Sequence, residues 1–120
     1  MMRTFGVWVC VAVCVLAAPW RSAGGAGLLF VEAQQDNALD GPEGVALSPD
    51  QSFLYAANAF PGSISVFARN PANGKLSFVQ ALRNGEDGVS GLEGAADVVV
   101  SPDGEHVYTP SWRDHAVAVF

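Results

Sequence analysis

Beyond residue 14 the chain contains no cysteine: Cys10 and Cys14 are its only two. Disulfides and thiolate metal sites are thereby excluded downstream, and the folded part must be held by core packing alone. Basic residues are also scarce. After residue 24 only Arg69, Lys75, Arg83 and Arg113 stand against all twelve acids. Nucleic acid and anionic membrane surfaces are poor partners for such a chain. The two histidines, His106 and His115, are separated and have no thiol beside them, which argues against zinc. No GxSxG, no phosphate-cradling GxxxxGK[S/T] and no N-x-S/T acceptor occurs.

The 120 residues allow at most one small domain, and the first residues stand apart from it. "MMRTFGVWVCVAVCVLAAPWRSAGGAG" has one early basic residue, an apolar run from Phe5 to Ala18, then small residues. This reads as a secretory signal peptide over 1–26, cut between about residues 24 and 27. The run is too short to span a bilayer comfortably. The expectation is a secreted or periplasmic protein, with no membrane association after cleavage.

What the rest contains is a repeat. "GVALSPDQSFLYAANAFPGSISVF" (44–67) lies over "DVVVSPDGEHVYTPSWRDHAVAVF" (97–120) at an offset of 53 without a gap, with seven of 24 positions identical. Upstream, "LLFVEA" (28–33) lies over "LSFVQA" (76–81) at an offset of 48, and the difference is absorbed in a loop. Each unit of about 50 residues divides into four short apolar runs, A to D, separated by turn signals. In the complete copy these are 44–48, 53–57, 63–68 and 76–82. Ser48-Pro49-Asp50 and Ser101-Pro102-Asp103-Gly104 join A to B as turns: proline presets φ, and Ser and Asp bond nearby backbone. "NPANGK" joins C to D with a hairpin signal, Asn-Gly. Four antiparallel strands per period of this length predict all-β propeller blades.

Continuous apolar runs such as "VVVS" and "AVAVF" predict strands covered on both faces, as between neighbouring blades. The chain offers a D strand at 28–33, a complete blade at 44–82 and a partial blade at 97–120, about two blades in a repeat region of 28–120. A closed propeller needs at least about four. The reading is an N-terminal piece of a longer propeller, whose partners are the remaining blades or identical chains. Apolar faces and unpaired edges are expected on the chain alone. Pro110, in place of Ala57, is expected to end strand B of the second blade early or to bulge it.

"LSFVQALRNGEDGVSGLEGAADVVVSPDGEHVY" followed by "DHAVAVF" resembles the tandem repeats of the bacterial seven-bladed β-propeller lactonase family, which includes 6-phosphogluconolactonase and carboxymuconate-lactonising types. The resemblance covers about residues 28–120. It implies a site at the central channel built from His, Arg and Glu of several blades. Similar enzymes often carry a His after a Pro shortly before strand A; here "GPEGVALS" and "GAADVVVS" put Glu43 and Ala96 in that neighbourhood.

Propellers bind ligands where D-to-A and B-to-C loops meet, which makes Glu43, Asn58, Trp112, Arg113, Asp114 and His115 the candidate ligand-binding residues. Arg and Trp beside Asp and His suit an anionic, ring-shaped ligand such as a lactone or sugar acid. The alternative is a solvated hairpin loop whose Trp covers a neighbouring blade. The acidic loops "DNALDG" and "NGEDGVSGLEG" raise calcium, but neither matches the spacing of a calcium loop, so no cofactor is expected. Glu105 and His106 do not recur in the other copy, which makes His106 a strand-start residue away from the B-to-C loops. Likeness between copies favours a non-catalytic binding or structural repeat, with a small-molecule or protein ligand at the loop face. The second reading is a fragment of a lactonase-like hydrolase, inactive on its own.

Overall fold

Turn chemistry and strand length set the fold, and they do so twice. The computed structural model describes residues 28–120, so the signal-peptide expectation lies outside the described residues. Seven strands follow one another: β1 (Pro42–Leu47), β2 (Phe53–Asn58), β3 (Ser63–Arg69), β4 (Leu76–Arg83), β5 (Val99–Val100), β6 (Val107–Ser111) and β7 (Ala116–Val119). They form a four-stranded sheet in the order β1-β2-β3-β4 and a three-stranded sheet in the order β5-β6-β7, with every pairing antiparallel. Each sheet is a meander of nearest neighbours, as the blade reading requires. The runs at 44–48, 53–57, 63–68 and 76–82 all lie in the expected strands.

The Ser-Pro-Asp turns close in the same way in both copies. In the first, the Ser48 and Ser52 hydroxyls donate to Asp50 Oδ1 (2.5 and 2.7 Å), and the Ser52 N–H donates to the same oxygen (3.0 Å). Ser48 Oγ also accepts from the Phe53 N–H at 3.0 Å. In the second, Ser101 Oγ donates to Asp103, the Glu105 N–H donates to Asp103 Oδ1 (3.0 Å), and the His106 N–H donates to Ser101 Oγ (3.0 Å). His106 thus belongs to the A-to-B turn, at the opposite end of the blade from the B-to-C loop. The Ser48 hydroxyl above all, then the Ser52 amide, holds the Asp50 carboxyl down at about 2. The Ser101 hydroxyl and the Glu105 amide likewise lower Asp103.

The core lies between the two sheets. Ala57, Ile64 and Val66 of the first blade meet Leu92, Ala95, Val98, Val107 and Ala118 of the second. Strand β3 is buried continuously from Ser63 to Phe67, with Ile64 and Val66 against the second blade and Ser65 bonded to the Ala38 loop. Burying Ile64 and Val66 stabilises by about 1.5–3 kcal/mol each. Where the first strands of the two blades converge, a Cβ on Gly44 would lie 2.6 Å from Asp97 Oδ1 and 2.9 Å from its Cα. Glycine at this position lets the inner strands approach.

Asn58, expected at the loop face as a ligand residue, is instead fully buried at the end of β2. Its Nδ2 lies 3.2 Å from the Ala38 carbonyl, 3.3 Å from that of Ala56, 3.1 Å from Ser63 Oγ and 3.0 Å from Ser65 Oγ. Ser65 Oγ also donates to the Ala38 carbonyl. The Nδ2 group therefore ties the incoming loop to strands β2 and β3, while Oδ1 is buried without a partner and the whole side chain is closed off from the loop surface. At the matching places the second blade has Ser111, Ala116 and Ala118, against which Gly91 packs where Ala38 stands in the first copy.

Two further expectations are corrected. Residues 28–33 form no strand. A D strand pairs with the C strand of its own blade, as β4 does with β3, and the described residues offer 28–33 no such partner. Strand β6 runs straight through Pro110, in register with Val117, so strand B neither ends early nor bulges. Val107 and Phe120 exchange backbone bonds (2.8 and 2.9 Å), so alternation points the Pro110 nitrogen away from β7 and toward strand A. The missing donor therefore shortens strand A: β5 has two residues where β1 has six. Strand β7 is covered on one face only, the bare apolar face expected of the chain alone. Val117 is 61% and Val119 58% exposed, while their counterparts Ile64 and Val66 are 2% and 8% exposed.

Two consequences are measurable. Asn58→Ala strands partners of a buried amide and should cost about 2–3 kcal/mol in urea unfolding, with Ser111→Ala far milder. Both turn carboxyls are held below their unfolded value of 3.8. Their contribution is complete above that value and is lost as pH falls toward about 2. The urea midpoint of the chain should drop across that window, and Asp50→Asn with Asp103→Asn should flatten the drop.

Candidate functional site

The B-to-C loop of the second blade is built on a glycine. Gly94 has φ +75, and a Cβ there would lie 2.8 Å from Trp112 Nε1 and 2.9 Å from Trp112 Cε2. Only glycine lets the indole lie on this backbone. The Trp112 N–H donates to the Gly94 carbonyl (3.2 Å), and the Arg113 and Asp114 N–H groups both donate to the Glu93 carbonyl (3.2 and 3.3 Å). Asp114 Oδ2 accepts from the Glu93 N–H at 3.0 Å. Gly94 in turn donates its N–H to the Ala59 carbonyl of the first blade (3.2 Å). Three loops from two blades are thus laced together.

Arg113 sits at the centre. Its Nη1 lies 3.2 Å from Glu93 Oε1, and its guanidinium carbon stands 4.8 Å from the Phe60 ring centroid and 5.1 Å from that of Trp112. Both ion-pair partners are nearly half exposed, so the pair contributes at most about 1 kcal/mol. The two aromatic faces orient the cation while most of its fork of donors stays open to an incoming anion. Beside it, Trp112 and His115 line a shallow depression of about 340 Å³ with Ala96, Pro110, Ser111, Ala116 and Val117. Ser111 Oγ is buried there without a hydrogen-bond partner.

The candidates therefore separate. Trp112, Arg113, Asp114 and His115 are exposed on one loop, with Asp114 spent on the Glu93 amide. Glu43 lies within β1 as the extra residue of a bulge between Pro42 and Gly44, its side chain exposed. Bulges of this kind re-aim a side chain out of the pleat. Phe60 and Glu93, the two partners of Arg113, were not singled out from the sequence. The gapless overlay does place Phe60 opposite Arg113, and the loop overlay sets Asp40 opposite Glu93. Among the described residues no three His, Asp or Glu side chains converge on a cation-sized space. The acidic loops are shaped by their own bonds, such as Asp36 Oδ1 to the Ala38 N–H (2.9 Å) and Asn84 Oδ1 to the Leu92 N–H (3.1 Å).

Two laced blades with loops gathered at one end match a described family, "Lactonase, 7-bladed beta-propeller", over residues 22–120. The chain belongs to the seven-bladed β-propeller lactonase family. Among curated relatives, the 6-phosphogluconolactonase of Pectobacterium carotovorum is 30% identical over 100 residues, which is 81% of this chain and 30% of that protein. That of Klebsiella pneumoniae is 30% identical over 80 residues, 67% of this chain and 24% of the relative. The chain thus spans between a quarter and a third of the length of these relatives. Among solved structures, a candidate 6-phosphogluconolactonase from Bacteroides fragilis superposes with a TM-score of 0.57 at 23% identity, covering 78% of this chain and 24% of that one. One from Bacteroides uniformis gives 0.56 at 26% identity, covering 80% and 25%. Lactonase-family membership and the all-β propeller fold agree with the geometry of the sheets.

Gly94→Ala in this lactonase-family chain should cost about 1–2 kcal/mol from the left-handed backbone alone. It should also lift Trp112 off the loop, seen as a red shift and stronger acrylamide quenching of indole emission relative to a Trp112→Phe control.

Proposed function

We propose that these two blades supply part of the ligand mouth of a lactonase-like hydrolase that opens a cyclic ester, such as a sugar-acid lactone. The observation that carries this reading is Arg113, a cation braced by Phe60, Trp112 and Glu93 at the edge of an open depression. The names of the curated relatives support it, since they are 6-phosphogluconolactonases. The expectation of a non-catalytic repeat rested on the likeness of the two copies. That likeness fails at this face, where "AFPGS" in one copy is "WRDHA" in the other.

Opening a lactone adds water to the acyl carbon, breaks the bond from that carbon to the ring oxygen, and leaves a carboxylic acid and a hydroxyl. A sugar-acid lactone bearing a phosphate or carboxylate needs a cation to hold it and a flat apolar surface for its ring. Arg113 meets the first need bidentately and Trp112 the second. His115, on the same loop, and Glu43, exposed on the β1 bulge of the first blade, are the groups assigned to accept or return a proton. Because the chain spans a fraction of its relatives, binding is the appropriate readout. The full chain should bind 6-phosphogluconate in a titration followed by NMR shifts of the Trp112 indole N–H, and Arg113→Ala should weaken binding about tenfold or more, near 1.4 kcal/mol. Binding that is indifferent to Arg113→Ala, or no binding at millimolar ligand, would overturn the reading.

A further inference from the structure

Arg113 is the only Lys or Arg of the loop 112–115, and its charge is outweighed by its neighbours. Glu93 Oε1 stands 3.2 Å from Arg113 Nη1, and the Glu93 N–H donates to Asp114 Oδ2 at 3.0 Å. One guanidinium beside two carboxylates leaves this corner singly negative. Arg69 and Lys75 lie at the far end of the first blade, where Arg69 Nη1 donates to the Gln51 carbonyl, and Arg83 ends the edge strand β4. The backbone donors that cradle phosphate in other proteins are also spent here. The Gly94 N–H goes to the Ala59 carbonyl, that of Ala95 to Leu92, that of Trp112 to Gly94, and those of Arg113 and Asp114 to Glu93. With the Glu93 N–H on Asp114, all six of these amides are engaged. What stays open is the free part of one guanidinium fork. Its openness does not depend on what lies alongside: Phe60, at the equivalent place in the first blade, is 45% exposed although the second blade packs against that blade.

We infer that, within the lactonase-like reading on which this rests, Arg113 holds the acyl end of the ligand and leaves any phosphate at the other end unread. The ligand class is then the sugar acid itself, phosphorylated or not. Charge decides between the two ends. The acyl carbon bears a neutral carbonyl in the lactone, an oxyanion once water has added, and a carboxylate in the product, so this end never carries more than one negative charge. A phosphate ester carries close to two. The two oxygens of a carboxylate fit one guanidinium fork bidentately. Repulsion from Glu93 and Asp114 acts about twice as strongly on a dianion as on a monoanion at the same distance. A phosphate site gathers several cations or a run of free amides, and the surroundings of Arg113 supply neither among the described residues.

The test is a titration of the full chain at pH 8 with gluconate, 6-phosphogluconate and glucose 6-phosphate, followed by NMR shifts of the Trp112 indole N–H. Gluconate and 6-phosphogluconate should bind with Kd values within about threefold of each other, and glucose 6-phosphate about tenfold or more weaker. Arg113→Ala should weaken both acids equally. Glu93→Gln, at a side chain nearly half exposed, removes one of the two repelling charges and should strengthen glucose 6-phosphate about threefold or more relative to gluconate. Binding of 6-phosphogluconate about tenfold or more tighter than gluconate overturns the inference and leaves the lactonase-like reading standing. So does glucose 6-phosphate that matches 6-phosphogluconate, or a Glu93→Gln chain with unchanged preference. If none of the three ligands binds, the lactonase-like reading itself fails.

Discussion

A strand buried on both faces needs a second layer over each, and strand β3 is such a strand, with Ile64 and Val66 against the second blade and Ser65 against the Ala38 loop. Ser63 to Phe67 is buried without a break because β2 and β4 flank it in the sheet while the second blade lies on top of it. The rest of the structure follows from that requirement. Gly44 and Gly62 have no side chains because the next blade's backbone arrives where a Cβ would be. Leu92 is fully buried because it is the first residue of that arrival. The loop cluster around Arg113 exists because the arriving segment, Leu92 to Ala95, must hydrogen-bond to both blades on its way to strand A. Structural closure of one blade and construction of the loop face are thus a single event in the chain.

The two blades solve the same problem with different chemistry. In the first, a buried amide gathers the loop carbonyl of Ala38 and the hydroxyls of Ser63 and Ser65. In the second, the corresponding small residues Gly91, Ala116 and Ala118 simply pack. Each arrangement leaves a buried polar atom unpartnered, Asn58 Oδ1 in the first blade and Ser111 Oγ beside the depression in the second. The small-residue arrangement is found in the blade that carries the exposed Trp, Arg and His.

Period and turn chemistry made the blades legible, since the Ser-Pro-Asp turns and the apolar runs recur at one spacing. Which edge a residue faces was not legible. Pro110 was placed correctly on strand B, yet the direction of its nitrogen depends on the alternation of bonds across the ladder, so the loss fell on strand A. Asn58 was placed at the strand end nearest the loops, but its burial depends on Ala38, twenty residues upstream and outside the aligned segment. The strand expected at 28–33 matches β4 well in sequence, and a strand needs a neighbour that sequence likeness does not supply. For the site, the polar loop 112–115 was visible as a departure from the repeat. Its supports were not, because Phe60 lies in the other blade and Glu93 in a loop whose two copies differ in length.

The same logic bears on where new chemistry can arise in a repeat protein. Positions that face the neighbouring blade are constrained twice, once as one half of an interface and once as its counterpart in the adjoining unit. Ile64 and Val117, or Val66 and Val119, show how little they change. Positions 59–62 and 112–115 close the hairpins at the loop end, where a residue answers chiefly to its own turn. There Ala-Phe-Pro-Gly could become Trp-Arg-Asp-His while the strands on either side kept their register. At the place of Gly62 the second blade has His115, which keeps a left-handed backbone, φ +50 against +90, although it carries a side chain.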